Sequence, residues 1–415
     1  MKPDDAFFAR ERARLLAALT RVFGTHNLAL AEDVVQETLA RAFEVWTYAG
    51  VPEHSSALLM AAAKNRVIDV FRRERTAKKF APAIEHAIES EWTLRPTVEE
   101  LFLPAALRDD ELRMMFSVCH PQLTEEVHVA LMLNILCGLG ADEIARAYLA
   151  GQAAIEKRIS RGKKVLAASS RLFELTAADF APRCASVHRA LYVLFSEGYH
   201  GASEEAVIRE DVCREALRLV RLLVDHAPVA TPATFALAAL MYLHAARLPG
   251  RTDALGELVS LADQDRSRWD ARLVAEGLAL LGRASTGTEV SPFHVEAAIA
   301  GLHASAARFE NTRWEEVVRL YDVQMRIAPS PVVALGRAMA IAELEGPASG
   351  LRALDAIEDV GRLQAYPFHP AARGELERRR GRFDGARPHF AAALLLARNE
   401  GERTFLRKRL ASCAH

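Results

Sequence analysis

Residues 367–400 read PFHPAARGELERRRGRFDGARPHFAAALLLARNE. Small and aromatic residues fall where two short helices must cross. Gly374, Gly381, Ala386, Phe390 and Ala393 occupy the places of close glycine, turn glycine, small residue, aromatic and second small residue in a helical-hairpin template with a period of about 34 residues. Upstream, Val317, Tyr321 and Pro329 sit at the spacing of a second helix and its closing proline, and the helix after Pro331 starts one period before the clear repeat. A lone hairpin cannot bury its apolar face, so the pattern predicts several hairpins stacked into a curved solenoid.

Composition extends the helical reading to the whole chain. With 415 residues the protein exceeds one ordinary domain, and at about 100 to 200 residues per domain two or three are expected. Hydrophobic residues make up 51% and charged residues 26%, enough apolar surface to fold most of the chain. Glycine and proline are sparse while Ala, Leu, Arg and Glu recur at helical spacing, which predicts an all-α protein. Residues 1–80 read as one compact unit, 81–108 (with Pro82, Pro96 and Pro104) as a linker, 109–173 as a second unit, and 180–415 as the helical-repeat extension.

The net charge of -1 hides two basic stretches, Lys64 to Lys79 and Lys157 to Arg171, the kind of asymmetry with which a neutral protein presents a polyanion-binding face. Cys119, Cys137, Cys184, Cys213 and Cys413 are odd in number and scattered through apolar patterns, so they read as reduced core thiols. The N-terminus lacks a signal pattern, and no apolar run reaches the roughly 20 residues of a membrane span, so a cytoplasmic protein without membrane contact is expected.

The strongest local signal is Glu126 to Arg171. A helix ending near Cys137 is followed by Gly138, a short helix Ala141 to Leu149, a turn at Ala150 and Gly151, and a basic helix from Gln152. Ile144 and Ala145 on the first short helix, with Ile155 and Ile159 on the second, supply the apolar residues that pack a helix-turn-helix. Lys157, Arg158, Arg161 and Lys164 then lie on or beside the opposite face, free to meet phosphates or guanine edges in the major groove. Lys64 to Arg75 forms a further basic helix with aliphatic and aromatic residues on its other side. Ala31 to Phe43 forms an amphipathic helix whose Asp33, Gln36 and Glu37 cluster within one turn, suited to a partner-protein contact. For each helix taken alone, a solvated polar face is the competing reading.

In this order, AEDVVQETLARAF, AAAKNRVIDVFRRER and LTEEVHVALMLNILCGLGADEIARAYLAGQAAIEKRISRGKKVL resemble the two-domain sigma-70-type factors of the extracytoplasmic-function group, over about residues 7 to 173. The later blocks LYVLFSEGYHGAS, DRSRWDARLVAEGLALL, SPFHVEAAIAGLHA and APSPVVALGRAMAIAELEGP resemble the subgroup with a tetratricopeptide-like, DUF6596-type extension. The resemblance implies two small helical sigma domains followed by a tetratricopeptide-like α-solenoid. It implies that Asp33, Gln36 and Glu37 dock on core RNA polymerase, and that Asn65, Arg66, Asp69, Arg72 and Arg73 capture the melted -10 element, with Asn65 as the candidate for a base pocket. Lys157, Arg158, Arg161 and Lys164 are then the contacts to the duplex -35 element. It further implies control through contact between the repeat extension and the sigma domains of the same chain. Two positions depart from the family pattern: Leu58 or Leu59 replaces a tryptophan often found near the start of the -10 segment, and Glu156 puts a negative charge in the recognition helix.

Enzyme signals are weak. Gly138-Leu139-Gly140 lacks the third glycine and the strand of a dinucleotide site, Gly162-Lys163-Lys164 lacks the rest of a phosphate loop, and Cys119, His120 and His128 lack a second cysteine at ligand spacing. No catalytic residue, cofactor or metal site is expected. The alternative functional readings are a stand-alone helix-turn-helix regulator with a repeat sensor domain, and a repeat scaffold with no role on DNA.

Overall fold

The computed structural model describes residues 5–24, 27–73, 104–147, 151–169, 177–200 and 208–413. Among them all regular structure is helical, apart from one isolated bridge between Thr252 and Leu258. The chain divides into two compact units, residues 1–194 with 214–229, and residues 195–213 with 230–415.

The first unit contains α1 Asp5–Phe23, α2 Leu28–Ala49, α3 Ser55–Arg73, α4 Pro104–Val118, α5 Glu125–Ile135, α6 Ala141–Ala147, α7 Gln152–Ala168 and α8 Ala177–Phe180. Residues 184–194 of α9 (Cys184–His200) and 214–225 of α10 (Glu210–Asp225) also belong to it. Of the expected linker 81–108, residues 81–103 lie outside the described residues, and residues 104–108 open α4, whose first residue is a proline, as suits the first turn of a helix.

Helix α1 organises the unit. Ala13, Leu15, Leu16, Ala17, Ala18, Leu19, Val22 and Phe23 are all buried, so α1 is covered on nearly every side, and it packs on α2, α3 and α4. The two halves that the sequence separated by a linker thus share this core. Buried carboxylates accompany the packing. Glu11 accepts a hydrogen bond from the Ser56 hydroxyl at 2.9 Å and pairs with Arg14 at 3.2 Å. Arg21 pairs with Asp110 at 3.1 Å. Glu111, buried on α4, receives both terminal nitrogens of Arg218 on α10, at 2.8 and 3.0 Å, while Glu215 holds the same guanidinium at 2.7 Å. Burial pushes the Glu111 carboxyl up and the adjacent Arg218 pulls it down.

The second unit is a solenoid-like stack of helix pairs. Its helices are α11 Pro232–Ala245, α12 Ala271–Ala284, α13 Pro292–Ser305, α14 Trp314–Ile327, α15 Pro331–Glu345, α16 Pro347–Asp355, α17 Phe368–Arg379, α18 Phe383–Leu396 and α19 Glu400–Ala411, and each packs on the next. Side chains of Thr231, Asp270, Ser330 and Asn399 accept backbone N–H groups at the starts of α11, α12, α15 and α19. The repeat read from the sequence forms α17 and α18. Gly374 lies so close to Phe390 that a Cβ there would meet the ring at 3.1 Å, and Gly381 turns between the helices with φ of 73°. Ala386, Phe390 and Ala393 are buried against α19 residues Leu406 and Leu410. Farther upstream, Val317 is buried and Tyr321 closes on Gly336, where a Cβ would come within 2.8 Å of the phenol oxygen.

Candidate nucleic-acid interface

On α2 the apolar positions Leu28, Ala31, Val34, Val35, Thr38 and Trp46 face the core. That leaves Asp33, Gln36 and Glu37 exposed on the other side. Phe43, Val45 and Tyr48 continue this exposed side toward the helix end, Tyr48 being 93% exposed. A groove of about 780 Å³ runs beside the acidic turn, lined among others by Arg12, Asp33, Gln36, Phe43 and Lys163. An acidic turn beside exposed aromatic groups can steer and then hold a cationic, partly apolar partner.

Helix α3 buries Leu59, Met60, Ala63, Val67 and Ile68, and leaves Asn65 and Asp69 exposed. Arg66 is half-buried and its guanidinium meets the Glu37 carboxylate at 2.6 Å. This pair joins the acidic turn of α2 to the basic helix, a link the separate reading of the two segments lacked. Arg72 and Arg73 end α3, and their side chains lie outside the described residues.

Helices α6 and α7 are the two helices of the expected helix-turn-helix and pack on each other, while Tyr148, Leu149 and Ala150 lie outside the described residues. Ile144, Ala145, Ile155 and Ile159 are buried, as their spacing required. Lys157, Arg161 and Lys164 are exposed and Arg158 is half-buried, so the basic face is available to a polyanion. Glu156 receives the Gln152 side-chain amide at 2.8 Å and stands at one wall of a cavity of about 480 Å³. That cavity lies between α7 and the start of α2, with Leu28, Ala29, Ile159 and Ser160 among its lining residues, and at its edge Lys163 reaches Glu32 of α2 at 2.5 Å.

The uncharacterized protein R00370 of Rhizobium meliloti (strain 1021) is 37% identical over 407 residues, which cover 98% of this chain and 95% of the rhizobial protein. The chain belongs to the same family as that protein. Residues 183–285 match the model of a family of unknown function, DUF6596, and no solved structure matches. The DUF6596 segment takes in α9, α10, α11 and α12.

Two features of the site were not read from the sequence. Gly162 lies mid-way along the basic helix, where glycine costs helix stability. Here it is buried, and a Cβ in its place would fall 2.6 Å from Leu131 Cδ1, so the glycine permits the close packing of α7 on α5. The second is the Arg12 guanidinium, which donates to the Asn134 carbonyl at 2.7 Å and so ties α1 to the end of α5. His128 Nε2 lies 2.8 Å from the His120 carbonyl, and burial pushes the Cys119 thiol up to about 12. Among the described residues no group of three or more His, Cys, Asp or Glu side chains is arranged to hold a metal ion.

Proposed function

We propose that this protein is an alternative sigma factor that binds core RNA polymerase and directs promoter-specific initiation from the cytoplasm. The observation that carries the reading is the buried-exposed pattern of α6 and α7: apolar residues inside, and Lys157, Arg161 and Lys164 outside on one helix with the half-buried Arg158. In this reading that helix enters the major groove of the -35 element, and Asp33, Gln36 and Glu37 dock on the polymerase. Asn65, Arg66, Asp69, Arg72 and Arg73 serve the melted -10 strand, where cations hold the backbone and a side-chain amide reads a splayed base. Arg66 would exchange its Glu37 partner for a phosphate as the strand enters.

The repeat extension acts as a built-in regulator through contact with the sigma part. Run-off transcription with core polymerase tests both halves of the proposal, using the full chain and a chain ending at Val229, which keeps all of the first unit. Promoter-specific transcripts that require this protein, with different yields from the two chains, are expected. A DNA footprint by the protein alone, with no transcript in the presence of polymerase, would instead identify a stand-alone regulator. Equal yields from the two chains would remove the regulatory role.

Arg158→Ala and Arg161→Ala separate base reading from phosphate holding. An arginine bidentate to guanine costs about 1 to 3 kcal/mol of promoter preference when truncated, whereas a phosphate contact weakens all sequences alike and lowers the salt slope. Transcription by both variants at the wild-type level across a salt series would mean that α7 does not read the promoter.

A further inference from the structure

The second unit holds a cluster of cationic and donor groups that neither the helix-turn-helix nor the hairpin pattern explains. Trp269, only 7% exposed, stands between two arginines, with the guanidinium carbons of Arg247 and Arg266 at 5.4 and 4.9 Å from its ring centre. Arg251 lies over the Tyr199 ring at 3.9 Å and donates to the Tyr199 carbonyl. Arg266 donates one terminal nitrogen to the His303 carbonyl and, at 2.7 Å, to the Ala306 carbonyl. Among the described residues none of these three guanidiniums forms an ion pair with a carboxylate.

The nearby acids are engaged elsewhere or stand apart. Asp265 accepts the Ser267 N–H and hydroxyl, Asp270 caps α12, and Glu402 holds Arg398 at 2.7 Å. Glu197 faces Arg398, and burial pushes its carboxyl up to about 7, while Glu310 is the acid that acts on Arg266. Arg247 is the common neighbour: its charge acts on Arg251, Arg266, His200, His244 and His303. Burial, reinforced by the arginines, brings His200 down to about 3 and His303 down to about 4.

What remains unpartnered is almost all donor. Arg247 Nε, Arg266 Nε and Nη2 and Trp269 Nε1 are buried without a hydrogen-bond partner, and a neutral imidazole at His244 or His303 can donate from its buried Nδ1. Gly250 packs closely on the indole, where a Cβ would fall 2.9 Å from Nε1. The three arginines are half-buried and crowd one another, and buried donors without acceptors carry a desolvation cost. At His303 the cluster adjoins a cavity of about 610 Å³ whose walls include Phe309, Trp314, Tyr321 and Met339.

We propose that Arg247, Arg251, Arg266 and Trp269 form an anion site for a small phosphate-bearing molecule, with its apolar or aromatic part in the cavity beyond His303. A phosphate suits the set better than a carboxylate because it brings up to two negative charges and three terminal oxygens to several guanidiniums. All four residues lie within the DUF6596 segment. The site stands on the second unit alone and holds whether or not the first unit is a sigma factor.

Calorimetric titration of the full chain with phenyl phosphate, inorganic phosphate and acetate at matched ionic strength tests the proposal. Saturable binding is expected, with phenyl phosphate tightest and acetate weaker by about tenfold or more, one tenfold step being the loss of a single good contact. Arg247→Gln should lose about tenfold in phenyl phosphate affinity and Arg247→Lys less, since lysine keeps the charge but not the planar fork. Circular dichroism of both variants shows whether they fold, and Arg251→Gln replaces Arg247→Gln if it does not. Absence of saturable phosphate binding, equal affinity for acetate, or wild-type affinity in the folded glutamine variant would each overturn the proposal.

Discussion

Arg218→Met will destabilise the first unit by about 3 to 5 kcal/mol, the usual consequence of removing one partner of a buried ion pair. The reason lies with Glu111, which is 1% exposed and has both carboxylate oxygens on Arg218. With the guanidinium gone it must either stay charged in a poor solvent or take up a proton that burial already favours. A double variant, Arg218→Met with Glu111→Leu, should recover most of the loss, because replacing both members by apolar groups of similar size is often neutral or better. Urea unfolding followed by circular dichroism measures both. A single-variant loss under about 1 kcal/mol would place the pair among surface bridges in its energetics.

Asp33→Arg combined with Glu37→Arg should weaken binding to core polymerase by about a hundredfold or more, since like charges brought together at an interface cost several kcal/mol. The fold should survive. Both side chains are exposed, and the ion pair that the double variant breaks, Glu37 with Arg66, joins a 56%-exposed carboxylate to a half-buried guanidinium at the surface edge of α3, an interaction worth about 0 to 1 kcal/mol. Affinity in a pull-down equal to wild type, with an unchanged circular dichroism spectrum, would remove the acidic turn from the docking surface.

What the sequence made legible was periodic. The inward faces of α6 and α7, and the crossing of α17 and α18 through Gly374 and Phe390, follow from residues spaced three, four and sixteen positions apart. The exposure of Asp33, Gln36 and Glu37 follows in the same way from the apolar stripe of α2. Long-range pairings were not legible, because nothing local marks a buried charge as paired. No local pattern singles out Glu11, Asp110 or Glu111, yet each is at most 1% exposed. The packing role of Gly162 was not legible because it depends on Leu131, which arrives from another helix. The arginines around Trp269 were hidden for the same reason: they come from the turns after α11 and the loop before α12. The path of the chain was not legible, since residues 214–229 rejoin the first unit after 195–213 have joined the second.

That path bears on how the protein is made. Glu111 is translated 107 residues before its partner Arg218. At about 5 to 20 residues per second, the nascent chain spends roughly 5 to 20 seconds with α4 synthesised and its counter-ion not yet polymerised. Helices α6 and α7 are synthesised within that interval, before the unit that carries them can close. The protein therefore finishes its first half only while its second is under way, and a pause by the ribosome between these two points would prolong an open, charged intermediate.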